Sequence, residues 1–182
     1  MIISFGGSIG SGKSGIAKRL AEKLGWPLYD MGDVRRRMAQ EREMTLEEFN
    51  KLGESDPRTD TEVDEYQTKL GQAEDNFIIV GRTSWHFIPQ SLKIFLKAKP
   101  EIGAARVFKS LQGRNEGRNL ETIEAVLESN KKRVISDGLR YQKYFQIDVF
   151  DETNYDWVLD TSDLTEDDVF KAVLSFVQEK MV

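Results

Sequence analysis

Short apolar segments alternate with longer amphipathic segments along the chain. The apolar segments are bounded by turn residues and have the length of buried strands, over residues 1–5, 28–29, 77–80, 92–96 and 157–159. Between them, apolar residues recur every three or four positions, as on one face of a helix. This alternation predicts an α/β fold in three layers, a five-stranded parallel sheet with helices on both faces. Ligands of such a sheet bind at the carboxyl ends of its strands.

Capping and stop signals predict where the helices begin and end. The first helix is expected from Lys13 to Leu24, because Gly25 follows the last apolar position. Another helix follows Gly32, and a helix over about 119–144 is either continuous or broken. Four further starts are expected at Thr45 with Glu48, Thr61 with Asp64, Pro100, and Thr165 with Asp168.

The loop after the first predicted strand has the sequence of a phosphate-binding loop. It matches the pattern GxxxxGK(S/T) and consists of Gly7, Ser8, Ile9, Gly10, Ser11, Gly12, Lys13 and Ser14. Its glycines allow successive backbone N–H groups to face phosphate oxygens, and the following helix adds its partial positive charge. Lys13 is expected to bridge the β- and γ-phosphates of ATP, and the Ser14 hydroxyl to ligate Mg²⁺. The sequence therefore predicts ATP as a ligand and Mg²⁺ as the cofactor.

Composition and charge exclude several other classes of function. The 182 residues include no cysteine, which rules out thiol nucleophiles and cysteine-held metal centres. The net charge of −5 argues against a nucleic acid polymer as partner. Because no apolar run is long enough to cross a bilayer and no export signal is recognisable, we expect a cytoplasmic protein without a membrane anchor. One domain over residues 1–182 is the simplest organisation, and a monomer is slightly favoured.

A missing motif and the arginines indicate which class of phosphate-loop protein this is. A GTPase should carry an NKxD guanine-recognition motif, but the candidate stretches at residues 50–53 and 130–133 lack the aspartate. Arginines provide forked, permanently charged donors for phosphates. Four of them are expected at the ligand-binding edge of the sheet: Arg36, Arg82, Arg133 and Arg140. Together with the short chain, they favour an enzyme that moves phosphate between small molecules.

The chain resembles the cytidylate kinases of the short type common in archaea, a branch of the nucleoside monophosphate kinases. The resemblance covers nearly the whole chain. It rests on residues 7–14, on 29–36 followed by 41–49, on Asp56-Pro57 with Asp60, Asp64 and Gln67, on Gly81-Arg82 with Trp85, and on 133–160. It implies transfer of the γ-phosphoryl group of ATP to CMP or dCMP. It also implies an acceptor-binding segment at about 32–75 and a lid at about 108–140.

The resemblance further implies roles for individual residues. Arg36 and Arg82 would hold the phosphate of the acceptor. Arg133 and Arg140 would close over the transferring phosphoryl group and, with Lys13, form the catalytic set. Asp137 would contact the ribose or base of the acceptor. Arg140 would also belong to the acceptor-binding residues. Spacings of four and three residues place Arg133, Asp137 and Arg140 on one helix face.

At three places the chain departs from these relatives, and one of these is Glu43, where the relatives commonly have glycine. They usually carry an acidic residue before Gly81, available to Mg²⁺ through water, whereas this chain has Val80; Asp33 or Asp160 then remain as candidates. Near the start of the lid, Ser110 and Leu111 replace a basic residue. The residues facing ATP would then be Arg106, Lys109 or Arg114.

These departures keep two alternatives open. One is a kinase of another small acceptor, such as a different monophosphate or a nucleoside. Shikimate is disfavoured, because the expected paired aspartates and triple glycine are missing. The other is a kinase-like ATP-binding protein that regulates a partner.

Overall fold

The structure is a computed structural model that describes residues 1–111 and 120–181. Its strands and helices are β1 (Ile2–Gly7), α1 (Lys13–Leu24), β2 (Leu28–Asp30), α2 (Met31–Glu41), α3 (Leu46–Gly53), α4 (Arg58–Ala73), β3 (Phe77–Val80), α5 (Ser84–Phe87), β4 (Leu92–Lys97), α6 (Pro100–Lys109), α7 (Ile123–Phe145), β5 (Trp157–Asp160) and α8 (Glu166–Met181). The strands form one parallel sheet in the order β2-β3-β1-β4-β5. The predicted fold class is therefore confirmed. None of the described helices is long and apolar enough to cross a membrane.

Each face of the sheet has its own apolar core. Successive residues of β3 enter opposite cores: Ile78 and Val80 pack with α1 and α8, whereas Phe77 and Ile79 pack with α2 and α4. All four side chains are buried. Burial on both faces explains why the strands are continuous apolar runs rather than alternating ones.

Most predicted helix boundaries agree with the structure. Thr45 and Glu48 form the expected capping box of α3, and the Thr165 hydroxyl accepts a hydrogen bond from the Asp168 N–H at 3.2 Å before α8. The helix predicted over about 119–144 is one continuous helix, but it runs over Ile123–Phe145 and is capped by Thr122. Of the predicted lid, residues 112–119, which include Arg114, lie outside the described residues.

The predicted start of α4 at Thr61 is wrong. The helix begins at Arg58, because the Asp56 carboxylate accepts a hydrogen bond from the Arg58 N–H at 3.0 Å. Pro57 precedes the first helical residue, and its carbonyl accepts the N–H groups of the next turn. Thr61 therefore lies inside the first turn instead of capping it.

Two glycines allow the phosphate-binding loop to rest directly on α6. Gly10 has a φ of 75°, and a Cβ there would lie 2.2 Å from the carbonyl oxygen of Gly103. A Cβ on Gly103 would lie 2.3 Å from the carbonyl oxygen of Ile9. Both contacts are with backbone, which cannot move aside as a flexible side chain would. The loop's position thus depends on the absence of side chains on both surfaces.

Substituting these glycines tests the close approach. We expect Gly103→Ala to lower the free energy of unfolding by about 1–3 kcal/mol, because the new methyl group meets backbone. Gly138 provides the control: it lies inside α7 with open space around its Cβ position. Gly138→Ala should raise the free energy of unfolding by about 0.5–1 kcal/mol through helix propensity. Urea unfolding followed by circular dichroism measures both changes, and similar effects of the two substitutions would contradict the packing.

Candidate active site

A cleft of about 710 Å³ opens at the carboxyl ends of the strands. Its lining comes from the phosphate-binding loop, the segments after β2 and β3, and parts of α4, α6 and α7. This is the edge at which a parallel sheet of this topology binds ligands. The location predicted from the sequence is therefore where the structure has its cleft.

The phosphate-binding loop divides into an anchor and a lining. Gly7 and Ser8 attach the loop to β4, since the Ser8 N–H donates to the Leu96 carbonyl at 3.1 Å and a Cβ on Gly7 would overlap that oxygen. The lining residues are Ile9, Gly10, Ser11, Gly12, Lys13 and Ser14. Gly10 and Gly12 both have positive φ, which L side chains rarely adopt. The loop is thus held from behind and presents its backbone to the cleft.

Lys13 lies in strongly positive surroundings. Its Nζ donates to the Ser8 carbonyl at 3.0 Å, so the side chain folds back over the loop. Burial, together with the nearby charges of Arg82, Arg133 and Arg36, lowers the pKa of Lys13 to about 7, and Asp30 opposes this shift. A bound polyphosphate would supply the missing negative charge and restore the protonated amine. The cleft is therefore electrostatically suited to an anion with several charges.

The end of β2 provides a carboxylate beside Ser14. The Ser14 hydroxyl donates to Asp30 Oδ2 at 2.7 Å, and Asp30 Oδ1 accepts the Gly32 and Asp33 N–H groups at 2.8 and 3.2 Å. Asp30 thus caps α2 and contacts the predicted metal ligand at the same time. In the sheet, Asp30 is the register partner of Val80. Val80, at the end of β3, has no carboxylate, but Asp30 beside it on β2 does.

The donors around Ser14 fit a Mg²⁺ ion bound mainly through nucleotide phosphates. Mg²⁺ usually combines one or two protein oxygens with phosphates and water, and Ser14 with Asp30 supplies that kind of oxygen. No cluster of three or more metal-ligating side chains occurs in the described chain. Asp33 is paired with Arg36, and Asp160 accepts hydrogen bonds from Ser162. Neither of these two candidates contacts Ser14 in the way that Asp30 does.

Arg36 and Arg82 both line the cleft. Arg36 is paired with Asp33. Arg82 Nη1 forms an ion pair with Asp137 Oδ2 at 2.8 Å. Arg82 Nε has no hydrogen-bond partner among the described residues. Burial would raise the pKa of Asp137, yet Arg82 and Arg140 hold it below its usual value. Arg82 therefore retains donor capacity for a phosphate.

Arg140 lies behind the cleft rather than on its wall. Its side chain is fully buried and donates to Asp60 and to Asp137. Arg35 extends this row, because its Nη1 donates to Asp60 Oδ1 at 2.7 Å. The row Arg35–Asp60–Arg140–Asp137–Arg82, here called the buried charge row, connects α2, α4, α7 and the end of β3.

The structure thus separates the predicted site residues into two groups. Lys13, Arg36, Arg82 and Arg133 line one cleft with the loop. Asp137 and Arg140 are buried behind it and are paired with other residues of the protein. Their contacts with the acceptor or the transferring phosphoryl group stay predictions, because these side chains would first have to give up their present ion-pair partners.

Sequence reasoning gave no role in the cleft to Asp30, Arg35 and Asp64, which also line it. Asp30 could have been assigned one, because it follows a predicted strand at the binding edge. Arg35 and Asp64 belong to the stretches that carry the family resemblance, but no local pattern placed them in the cleft. Their position depends on how α2 and α4 pack together, which no spacing within either helix reveals.

The fold and the cleft together define a P-loop kinase. Solved structures support the fold: an uncharacterized protein from Eubacterium ventriosum superposes with a TM-score of 0.71 at 19% identity over 98% of each chain. A shikimate kinase from Bacteroides thetaiotaomicron has a TM-score of 0.60 at 15% identity over 100% of this chain and 98% of that one.

Sequence comparison shows the family. The chain belongs to the cytidylate kinase-like family, whose model matches residues 2–163. The cytidylate kinase of Methanocella arvoryzae is 37% identical over 162 residues, covering 89% of this chain and 88% of that protein. The cytidylate kinase of Archaeoglobus fulgidus is 32% identical over 183 residues, covering 100% and 97%. The chain is accordingly an ATP-dependent phosphotransferase, as its sequence predicted.

Replacing Arg140 tests the structural part of its role. We expect Arg140→Met to lower the free energy of unfolding by about 3–5 kcal/mol, because it removes the buried cation that Asp60 and Asp137 share. Arg58→Met is the control, since Arg58 is exposed and pairs with Asp56 at the surface. That variant should unfold almost as the wild type does. Urea unfolding distinguishes the two, and a small effect of Arg140→Met would contradict the buried charge row.

Proposed function

We propose that the protein transfers the γ-phosphoryl group of ATP to CMP or dCMP, giving ADP and the corresponding diphosphate. The observation that carries the proposal is the convergence of Lys13, Arg36, Arg82 and Arg133 on one cleft beside the phosphate-binding loop. Such a cleft can hold a triphosphate and a second phosphate group at once. The names of the related cytidylate kinases support a cytidine nucleotide as the acceptor.

The proposed reaction needs no protein nucleophile. An oxygen of the acceptor phosphate attacks the γ-phosphorus, and the bond from that phosphorus to the β–γ bridging oxygen breaks, so that ADP leaves. Lys13 and the loop N–H groups hold the donor phosphates. Arg36 and Arg82 hold the acceptor phosphate in line, and Arg133 balances the charge that shifts during transfer.

The proposed metal site consists of Ser14 with Asp30 behind it. Mg²⁺, when bound, neutralises phosphate charge and orients the γ-phosphoryl group. Ser14 would offer its oxygen to the ion while its proton remains donated to Asp30. With its proton held by Asp30, the Ser14 oxygen would act as an acceptor toward a cation.

The segments implied by the resemblance remain part of the proposal. Residues 32–75 contain α2, α3 and α4 and would bind the acceptor, and residues 108–140 would form the lid. Closing a lid excludes water, which would otherwise compete with the acceptor for the phosphoryl group.

A panel of acceptors tests the function. We expect ADP release from ATP to depend on CMP or dCMP and to be much slower with UMP, AMP, GMP, a nucleoside or shikimate. A coupled assay for ADP measures each rate under identical conditions. A preference for another acceptor would favour the alternative small-acceptor kinase. ATP binding without any acceptor-stimulated turnover would favour the regulatory alternative instead.

Asp30→Asn tests the carboxylate beside Ser14. Asparagine caps a helix about as well as aspartate, so α2 should remain intact while the negative charge is lost. We expect the Mg²⁺ concentration for half-maximal rate to rise about tenfold or more. Mn²⁺ binding to the ADP complex, followed by electron paramagnetic resonance, should weaken in parallel.

Asp160→Asn is the matched control for this experiment, since Asp160 was a candidate on sequence grounds and contacts Ser162 instead of Ser14. We expect its metal dependence to match the wild type. A shift in Asp160→Asn but not in Asp30→Asn would overturn the assignment.

A further inference from the structure

Tyr155 is a buried tyrosine whose hydroxyl group has no part in the proposed reaction. The residue lies just before β5 and is 9% exposed. Its ring packs edge-on against Phe95, with 4.8 Å between the ring centroids, and its centroid lies 6.0 Å from that of the Trp85 ring. The hydroxyl has no hydrogen-bond partner among the described residues. Packing therefore accounts for the ring of Tyr155 but not for its hydroxyl group.

The Tyr155 hydroxyl lies at the carboxyl end of β1, beside the segment that carries Arg82. A Cβ on Gly6 would lie 2.3 Å from the Tyr155 oxygen, so the hydroxyl rests directly on the backbone of this glycine. One residue earlier on β1, the Phe5 carbonyl accepts the Gly81 N–H at 3.0 Å. Arg82 follows Gly81 directly. The sheet therefore brings Tyr155 and Arg82 to the same part of the binding edge.

Arg82 carries a donor that could pair with the Tyr155 oxygen. Arg82 Nη1 is paired with Asp137, but its Nε has no hydrogen-bond partner among the residues that the structure describes. Burial raises the pKa of the Tyr155 hydroxyl, whereas the charge of Arg82 lowers it and that of Asp148 raises it. The phenol therefore stays protonated, and its oxygen is a neutral acceptor within reach of the electrostatic influence of Arg82. An unused acceptor and an unused donor thus lie in one region.

We infer that Tyr155 is a positioning residue for Arg82, whose Nε donates a hydrogen bond to the Tyr155 hydroxyl oxygen when its guanidinium group holds the acceptor phosphate. This inference rests on the proposed function. A guanidinium group has five N–H donors, and a phosphate engages two of them as a fork. A fixed acceptor on the remaining Nε–H orients that fork toward the phosphate. Because the phenol is neutral, it does so without a negative charge that would compete with the phosphate, whereas Asp137 carries such a charge.

Stability separates this role from a purely structural one. Burying a hydroxyl group without a partner costs the loss of its hydration. Tyr155→Phe keeps the ring and removes this cost, so we expect the variant to unfold at the urea concentration of the wild type or at a higher one. A hydroxyl that supports the fold would instead make the variant less stable. Lower stability or failure to fold would therefore overturn the inference.

The same substitution should weaken the binding of the acceptor. We expect the KM for CMP to rise about fivefold or more with the KM for ATP unchanged, because Arg82 holds only the acceptor phosphate. Tyr29→Phe is the matched control: it also removes one tyrosine hydroxyl, which donates to Glu74 at the surface at 2.8 Å. Both of its KM values should equal those of the wild type. A folded Tyr155→Phe protein with the wild-type KM for CMP would contradict the assigned role.

A double-mutant cycle tests whether Tyr155 acts through Arg82. Arg82→Lys keeps the positive charge but removes the guanidinium group and its Nε–H. Titration calorimetry in the presence of ADP measures the binding of CMP to the wild type, the two single variants and the double variant. We expect Tyr155→Phe to weaken CMP binding in the wild-type background but not in the Arg82→Lys background. An equal loss in both backgrounds would mean that Tyr155 acts independently of Arg82.

The outcomes also separate this inference from the proposed function. A wild-type protein without CMP-dependent ADP release would contradict the proposed function. A wild-type protein with this activity, together with a Tyr155→Phe variant that matches both of its KM values, would contradict the inference alone.

Discussion

The buried charge row joins α2, α4 and α7 beside the cleft. Its three arginines and two aspartates join helices that are distant in sequence, with Arg140 bonded to carboxylates on α4 and on its own helix. Breaking such a row leaves uncompensated charges in the protein interior, which costs far more than the loss of a surface pair. The relative placement of α2, α4 and α7 therefore depends on all members together.

The row also explains why the cleft is positive. Three guanidinium groups and two carboxylates leave one positive charge in excess, and its outer member, Arg82, reaches the cleft. Lys13 and Arg36 add to this charge. Burial, and then the charges of Arg82, Arg133 and Arg36, lower the pKa of Lys13. Anionic phosphates relieve this repulsion when they bind, so the positive charge of the cleft favours anionic ligands.

Much of this architecture could be predicted from the sequence, because its signals are local. The strand over 77–80 and the helix over 13–24 follow from apolar runs, glycines and periodicity within a few residues. The start of α4 could not be predicted from Thr61, since an aspartate and proline before it compete for the same cap. Arg140 shows more clearly what local sequence patterns cannot predict. Its spacing placed it correctly on a helix face, but only the packing of α4 against α7 decides that this face meets Asp60.

Asp30 gives the binding edge of the sheet a carboxylate although position 80 is a valine. The two positions are register partners at the ends of adjacent strands, so a carboxylate on either one reaches the same edge. Because Asp30 also caps α2, its carboxylate is fixed by two backbone N–H groups before any ligand binds. A carboxylate at the end of β3 would instead follow a strand buried on both faces. The negative charge beside Ser14 therefore stands at a position where the helix cap holds it in place.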